Sequence, residues 1–213
     1  MANYQVIDVA QRTPAWFAAR LGRLTGSRAK DMLATIKTGE AAARRDYRME
    51  LVCERLTGEA DEDGFVSDAM QRGIDLEGAA FAAYESATGS MVDRTGFLSH
   101  TVHMAGCSLD GSVDGFAGIV EIKCPKTATH VGYLRAGAVP ANHMAQITHN
   151  LWICDTAQWC DFVSYDDRLP ESLRTVIYRV RREDVDLKTY EEKALAFLRE
   201  VDDDVNELLS RGK

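Results

Sequence analysis

The sequence predicts an α/β fold, one central mixed β-sheet flanked by helices, over a chain of 213 residues. Three observations lead there. Helical-period segments and short extended runs alternate along the chain instead of segregating into separate halves. Residues 104–113 and 119–124 are extended-type runs separated by Asp114-Gly115-Phe116-Ala117-Gly118, which is hairpin-turn chemistry. The last stretch, 185–209, repeats Leu187, Tyr190, Ala194, Phe197, Val201 and Leu208 at helical intervals, so a long amphipathic helix closes the chain.

The elements follow in order. Thr13-Pro14 is a helix start with proline at the first position, and Trp16, Phe17 and Arg20 follow at helical spacing. Thr25-Gly26-Ser27 restarts the chain into a short helix through Met32 and Leu33. Residues 40–56 form a longer amphipathic helix with Tyr47 and Leu51 on its stripe, and 58–64 an acidic loop. Ser67 caps a helix to about Thr88, with Met70, Ile74, Glu77, Phe81 and Tyr84 near one face and Gly89 ending it. Residues 91–98 are the first strand expected, paired with the hairpin. Helices at 127–136 and 142–154, strands at 157–165 and 173–180, and the final helix complete the list. There is no repeat, low-complexity tract or linker, so a single domain over 1–213 is expected.

Composition narrows the class. Hydrophobic residues make up 46% and charged residues 27%, ordinary proportions for a globular protein, and no apolar run approaches the roughly 18 residues of a membrane span. The five cysteines form no C-x-x-C pair, which speaks against a disulfide framework or a zinc knuckle and for a reducing, cytoplasmic setting. His143 and His149 flank Gln146, with no cysteine or acid to complete a zinc set. A net charge of −8 argues mildly against a nucleic-acid partner. Local distribution counts for more, and basic residues gather at Arg20, Arg23, Arg28 and Lys30 and at Arg44, Arg45 and Arg48.

The chemistry concentrates in the hairpin. Folding its two runs antiparallel brings Asp110 opposite or nearly opposite Glu121, while side-chain alternation puts Glu121 and Lys123 on one face and Ser108 and Asp110 on another. Carboxylates about 5–6 Å apart repel unless a cation lies between them. On its own such a hairpin is also compatible with a merely solvated charged face. Glu77, on an apolar helical stripe, either pairs with a cation, helps hold a metal or marks an exposed edge of the stripe. Gln146, among apolar neighbours, is either a hydrogen-bonding core residue or part of a site.

Four segments taken together resemble the phage lambda exonuclease or YqaJ-like recombinase branch of the PD-(D/E)xK nucleases. They are Trp16-x-x-x-Arg20-Leu21-Gly22-x-x-Thr25-Gly26-Ser27, then Arg72-Gly73-x-x-x-Glu77-x-x-Ala80, then Ser108-Leu109-Asp110-Gly111 with Glu121-Ile122-Lys123-Cys124-Pro125, and Met144-Ala145-Gln146-Ile147. They fall in the family's order between residues 16 and 147. The resemblance implies a restriction-endonuclease-like core and a 5′→3′ exonuclease that degrades one strand of linear duplex DNA to 5′-mononucleotides. The 3′ single strand left behind would feed single-strand-annealing recombination.

It also implies roles. Asp110, Glu121 and the Ile122 carbonyl would ligate Mg²⁺, with Mn²⁺ able to substitute and two ions per site. Glu77 would act through a water in the same site, Lys123 would orient or deprotonate the attacking water, and Gln146 would complete its hydrogen bonds. Arg20, Ser27 and Ser108 match a 5′-phosphate pocket, and Met70 matches a position that wedges the end base pair apart. A ring-shaped homotrimer around the DNA and a single-strand annealing protein as partner are implied as well. Two other readings remain at this stage: a PD-(D/E)xK endonuclease with the same metal site, and a non-catalytic subunit that binds DNA ends.

Overall fold

The computed structural model describes residues 2–60 and 68–212, with the side chains of 68–70 also outside the description. Its strands are β1 (Tyr4–Ile7), β2 (Leu24–Thr25), β3 (Phe97–His100), β4 (Ala105–Ser108), β5 (Gly111–Val113), β6 (Gly118–Lys123), β7 (Trp159–Tyr165) and β8 (Thr175–Arg181). Its helices are α1 (Pro14–Arg20), α2 (Ala29–Met32), α3 (Ala42–Thr57), α4 (Asp68–Thr88), α5 (Thr127–Ala136), α6 (Ala141–Ile153) and α7 (Leu187–Arg211). The expected cap at Ser67 and most of the acidic loop lie outside the described residues.

The α/β class stands, but the strand layer is divided into two four-stranded mixed sheets, ordered β1-β3-β4-β2 and β5-β6-β7-β8. The division falls inside the first run of the expected hairpin. β4 pairs with β3 and β2, whereas β5, two residues later, pairs with β6 in the other sheet. Glycines on both sides of the break permit the change of direction. A Cβ on Gly106 would lie 2.5 Å from the Leu98 carbonyl oxygen, and one on Gly111 would lie 2.2 Å from Val92 Cγ1. At the break, the Leu109 carbonyl accepts from Gln11 Nε2 at 2.9 Å in place of a strand partner.

The turn between β5 and β6 is as expected, with Asp114, Gly115 and Phe116 all at positive φ. The expected strand at 91–98 shrinks to β3 plus a single bridge between Asp93 and Ser112. β1 has no counterpart in the sequence reading. It is a four-residue edge strand whose two central residues are exposed, so no apolar alternation announces it.

Alternation along β6 sorts two cores. Val120 and Ile122 pack with Ala80, Phe81 and Tyr84 of α4, while Ile119 faces the larger core built with Ile147 and Leu151 of α6. Glu121 and Lys123, on the Ile119 face, therefore look toward α6. Below them α7 buries Tyr190, Ala194, Phe197 and Val201 along one stripe. Phe197 stacks on Tyr47 of α3, with ring centroids 5.5 Å apart, and truncating it to alanine should cost about 3–5 kcal/mol.

Three of the four arginines of α3 are spent in the fold. Arg44 makes a fork to Glu200 at 2.7 and 2.9 Å, and Arg48 pairs with Asp204 and Glu40. Arg55 pairs with Asp202. The acids of α7 and the bases of α3 thus neutralise each other across a helix pair.

Candidate active site and phosphate pocket

Asp110 emerges at the junction of the two sheets. In the β5–β6 ladder Gly111 pairs with Val120 and Val113 with Gly118. One step beyond the ladder, Asp110 comes opposite Glu121, and its Oδ2 accepts the Ile122 amide at 2.7 Å. Glu121 is 1% exposed. Lys123 Nζ donates to its Oε1, and Asn150 Nδ2 donates to its Oε2 at 3.0 Å. The shared face of Glu121 and Lys123 and the facing position of Asp110 are therefore present as the hairpin pattern requires.

Electrostatics mark the pair as strained. Removal from water, and then the charge of Glu121, push Asp110 up to about 7, against the opposing pull of Lys123 and the Ile122 amide. For Lys123 burial works downward, but Glu121 and Asp110 together hold its ammonium well above the ordinary lysine value. Two crowded carboxylates, one of them raised by burial and then by the charge of the other, form a donor set that a divalent cation would relieve. Among the described residues no group of three or more His, Cys, Asp or Glu side chains converges as a complete metal cage. Mg²⁺ does not need one, because it is commonly held by one or two carboxylates with water filling the remaining octahedral positions. Asp110, Glu121 and the Ile122 main chain fit that requirement.

A cleft of about 370 Å³ opens over these groups, bordered by Arg12, Glu77, Asp110, Lys123, Tyr133 and His143. Glu77 reaches it from α4, but its carboxylate meets cations: Arg94 Nη1 at 3.4 Å and Arg12 Nη2 at 3.7 Å. Of the alternatives for an acid on that stripe, the contacts made here are the ion pairs. His143 is hydrogen-bonded to Tyr133 Oη at 3.0 Å, and burial followed by the charges of Lys123 and Lys30 brings it down to about 4. It is therefore a neutral imidazole in the cleft wall at pH 7.

Gln146 lies on α6, half-buried, and its side chain makes no hydrogen bond among the described residues. It shares its helix face with His143 and Asn150 at spacings of three and four. His143 borders the cleft and Asn150 touches Glu121, so Gln146 lies on the rung between them. Asn150 was not singled out in the sequence. Its signal was available: a polar residue one turn beyond Gln146 on a helix otherwise committed to the core. His149, next to it, is fully buried, bonded to Gly106 O at 2.9 Å and Tyr190 Oη at 2.7 Å.

The second cluster gathers the residues expected to take a phosphate. Arg20 Nη1 donates to Ser108 Oγ at 3.1 Å and its Nη2 to Ser27 Oγ at 3.3 Å, so the three residues expected there do converge. Trp16 completes the group. Its Nε1 donates to Ser108 Oγ at 2.8 Å, and its ring lies 4.2 Å from the Arg20 guanidinium carbon. Among the described residues Arg20 forms no ion pair, and burial lowers its pKa. A half-buried guanidinium held by neutral hydroxyls and an indole keeps its charge uncompensated by these contacts, and a guanidinium fork suits an anion. Ser108 is two residues from Asp110, so this site adjoins the acids. Met70 lies in α4, and its side chain is outside the described residues.

Comparison with known proteins places the chain in a family. The family model of the YqaJ-like viral recombinase domain matches residues 15–157, a span that contains both clusters. No curated protein matches the chain. Among solved structures, LHK-Exo in complex with dAMP is 39% identical, covers 94% of this chain and 98% of its own, and superposes with a TM-score of 0.84. The alkaline exonuclease LHK-Exo from Laribacter hongkongensis is 38% identical over the same shares, with a TM-score of 0.83. A phage-related exonuclease from Haemophilus somnus 129PT is 15% identical with a TM-score of 0.68, covering 87% of this chain and 96% of its own, and shares the fold. The chain therefore belongs to the YqaJ-like viral recombinase family.

Proposed function

We propose that this protein is a Mg²⁺-dependent 5′→3′ exonuclease that degrades one strand of linear duplex DNA to 5′-mononucleotides. The observation that carries the reading is adjacency. An arginine with no ion pair among the described residues, in a hydroxyl-lined pocket, is joined through Ser108 to the segment that delivers Asp110, so an end-recognising anion site abuts a pair of acids with a lysine. The exonuclease relatives support it.

Asp110, Glu121 and the Ile122 carbonyl would hold the metal. When bound, Mg²⁺ (or Mn²⁺), two ions per site, supplies Lewis-acid stabilisation of charge developing on the phosphate and acidifies the attacking water. Lys123, kept protonated by Glu121 and Asp110, stabilises the charge that builds at phosphorus in the transition state. Gln146 orients the nucleophile from the α6 face, and Glu77 reaches the same water once it exchanges its arginine contacts. Arg20, Ser27 and Ser108 take the terminal 5′-phosphate and set the scissile bond over the acids. Met70 is the proposed wedge residue. Family membership further supports a homotrimeric ring around DNA and a single-strand annealing protein that receives the 3′ strand.

The test is hydrolysis of linear duplex carrying 5′-phosphate or 5′-hydroxyl ends, with both strands followed, beside covalently closed circles. Mononucleotides from the 5′-phosphorylated strand and intact circles support the exonuclease. Cleavage of circles identifies an endonuclease, and binding without hydrolysis identifies an end-binding subunit.

A further inference from the structure

Asn150 is 1% exposed, and its Nδ2 is the group that holds Glu121 Oε2. Its other amide atom, Oδ1, is buried with no hydrogen-bond partner among the described residues. Turning the amide over would set Oδ1 against the Glu121 carboxylate, acceptor to acceptor. The contact with Glu121 therefore fixes the amide's orientation and leaves Oδ1 orphaned. A buried acceptor without a partner is costly, so Nδ2 has to justify the arrangement.

What faces Oδ1 is the main chain of Gly26. A Cβ built on Gly26 would lie 2.5 Å from Asn150 Oδ1 and 3.3 Å from His149 Cδ2. Gly26 does not have a positive φ, so its conformation is open to other residues. Its missing side chain serves space, and the space is taken by the Asn150 amide. The α-hydrogen that occupies the Cβ direction points at Oδ1 and offers it a weak C–H···O contact.

We propose that Asn150 is a positioning residue that fixes the Glu121 carboxylate for metal binding, and that position 26 is glycine to admit it. With Lys123 on Oε1 and Asn150 on Oε2, both oxygens of Glu121 are pinned. The plane of the carboxylate is then set before any cation arrives. Without Nδ2 the carboxylate is free to rotate toward Lys123. Gly26 directly precedes Ser27, so the same packing ties the phosphate pocket to the orientation of the metal ligand. The inference rests on the reading of Glu121 as a ligand.

The experiment is calorimetric Mn²⁺ binding to the protein without DNA, for wild type, N150A, G26A, the double variant and E121Q, with metal-free melting temperatures alongside. N150A should bind about tenfold more weakly, the usual scale for removing a group that orients a ligand. G26A should also weaken binding, because the new methyl displaces the amide. In the double variant affinity should stay within about twofold of N150A alone, since the methyl then has no Oδ1 to strike. Wild-type affinity in N150A overturns the proposal, as does a G26A penalty of the same size on both backgrounds. If N150A melts below the assay temperature, G26A decides alone, and undiminished affinity there overturns it. Undiminished binding by E121Q instead removes the ligand reading itself, whatever Asn150 does.

Discussion

Asp110 accepts the main-chain amide of Ile122 at 2.7 Å, standing where the β5–β6 ladder would have placed its next backbone acceptor. One carboxylate thus satisfies the strand with one oxygen and has the other for a ligand. Breaking the strand at Leu109–Asp110 is what makes this possible, because a continuous ladder would have paired Ile122 with Leu109, whose carbonyl here accepts from Gln11 instead.

Asp110→Asn and Asp110→Ala should therefore separate chemistry from stability. Both remove a charged ligand and should abolish hydrolysis. The asparagine keeps an acceptor for the Ile122 amide, whereas the alanine leaves that buried N–H unsatisfied and should be less stable by about 1–3 kcal/mol. Denaturant unfolding beside a nuclease assay checks both halves, and an active Asp110→Asn would show that the site is misplaced.

Lys123→Ala should lower turnover roughly 10²–10³-fold, the scale for losing a group that stabilises transition-state charge. Its ammonium contacts Glu121, so DNA binding should be retained while the chemical step suffers. Single-turnover rates with DNA affinity measured in Ca²⁺ give the split. A variant altered only in affinity would assign Lys123 to substrate binding.

Much of this was readable from the sequence, and the physical reasons are specific. Period-2 alternation over residues 119–123 put Glu121 and Lys123 on one face, and the Asp114–Gly118 turn brought Asp110 across from them. Helical spacing from Trp16 to Arg20 and the helix start at Ser27 were local signals of the same kind. The sheet break was not readable, since no local propensity separates Ser108 from Gly111. It is imposed by the contacts of Gly106 with Leu98 and of Gly111 with Val92. Nor does sequence spacing show that Glu77 faces Arg12 and Arg94, residues from distant parts of the chain. The cluster of Arg44 and Arg48 looked like a basic surface because two of its acids, Glu200 and Asp204, lie 156 positions away.

That pairing gives the third prediction. Arg48→Ala should cost about 1 kcal/mol of stability, since a partly exposed ion-pair network is worth little more. It should not change the salt dependence of DNA binding, because an arginine already neutralised by Glu40 and Asp204 releases no counterion from DNA. A reduced slope of log affinity against log salt would return Arg48 to the DNA surface.

His149 sets a pH limit. Gly106 O can only accept, so Nε2 carries the proton and Nδ1 accepts from Tyr190 Oη, which defines a neutral tautomer. Burial holds this imidazole down to about 4, against about 6.5 for the unfolded chain. Between those values the unfolded state binds the extra proton. The contribution is intact above pH 6.5 and is lost as pH falls toward 4, with a limiting slope of about 1.4 kcal/mol per pH unit. His149→Gln should be less stable at pH 7 and lose less stability on acidification. Parallel stability curves for the two proteins would show that His149 does not titrate between the folded and unfolded states.

Arg20→Ala should fail in a different way from the metal-site variants. The guanidinium is held by Ser108 and Ser27 and lies over Trp16, with no carboxylate on it among the described residues, so its charge is available to a phosphate. A charge-assisted fork of this kind positions the strand and does no chemistry. Hydrolysis from 5′-phosphorylated ends should fall sharply and processivity should drop. The residual rate on 5′-hydroxyl ends, which lack the charge, should change far less. Arg20→Lys should recover only part of the loss, because an ammonium cannot span both hydroxyls while holding the phosphate. The deciding quantity is the ratio of rates on the two end types, wild type against variant. A ratio that Arg20→Ala leaves unchanged would mean that Arg20 braces Ser108 and Trp16 without reading the DNA end.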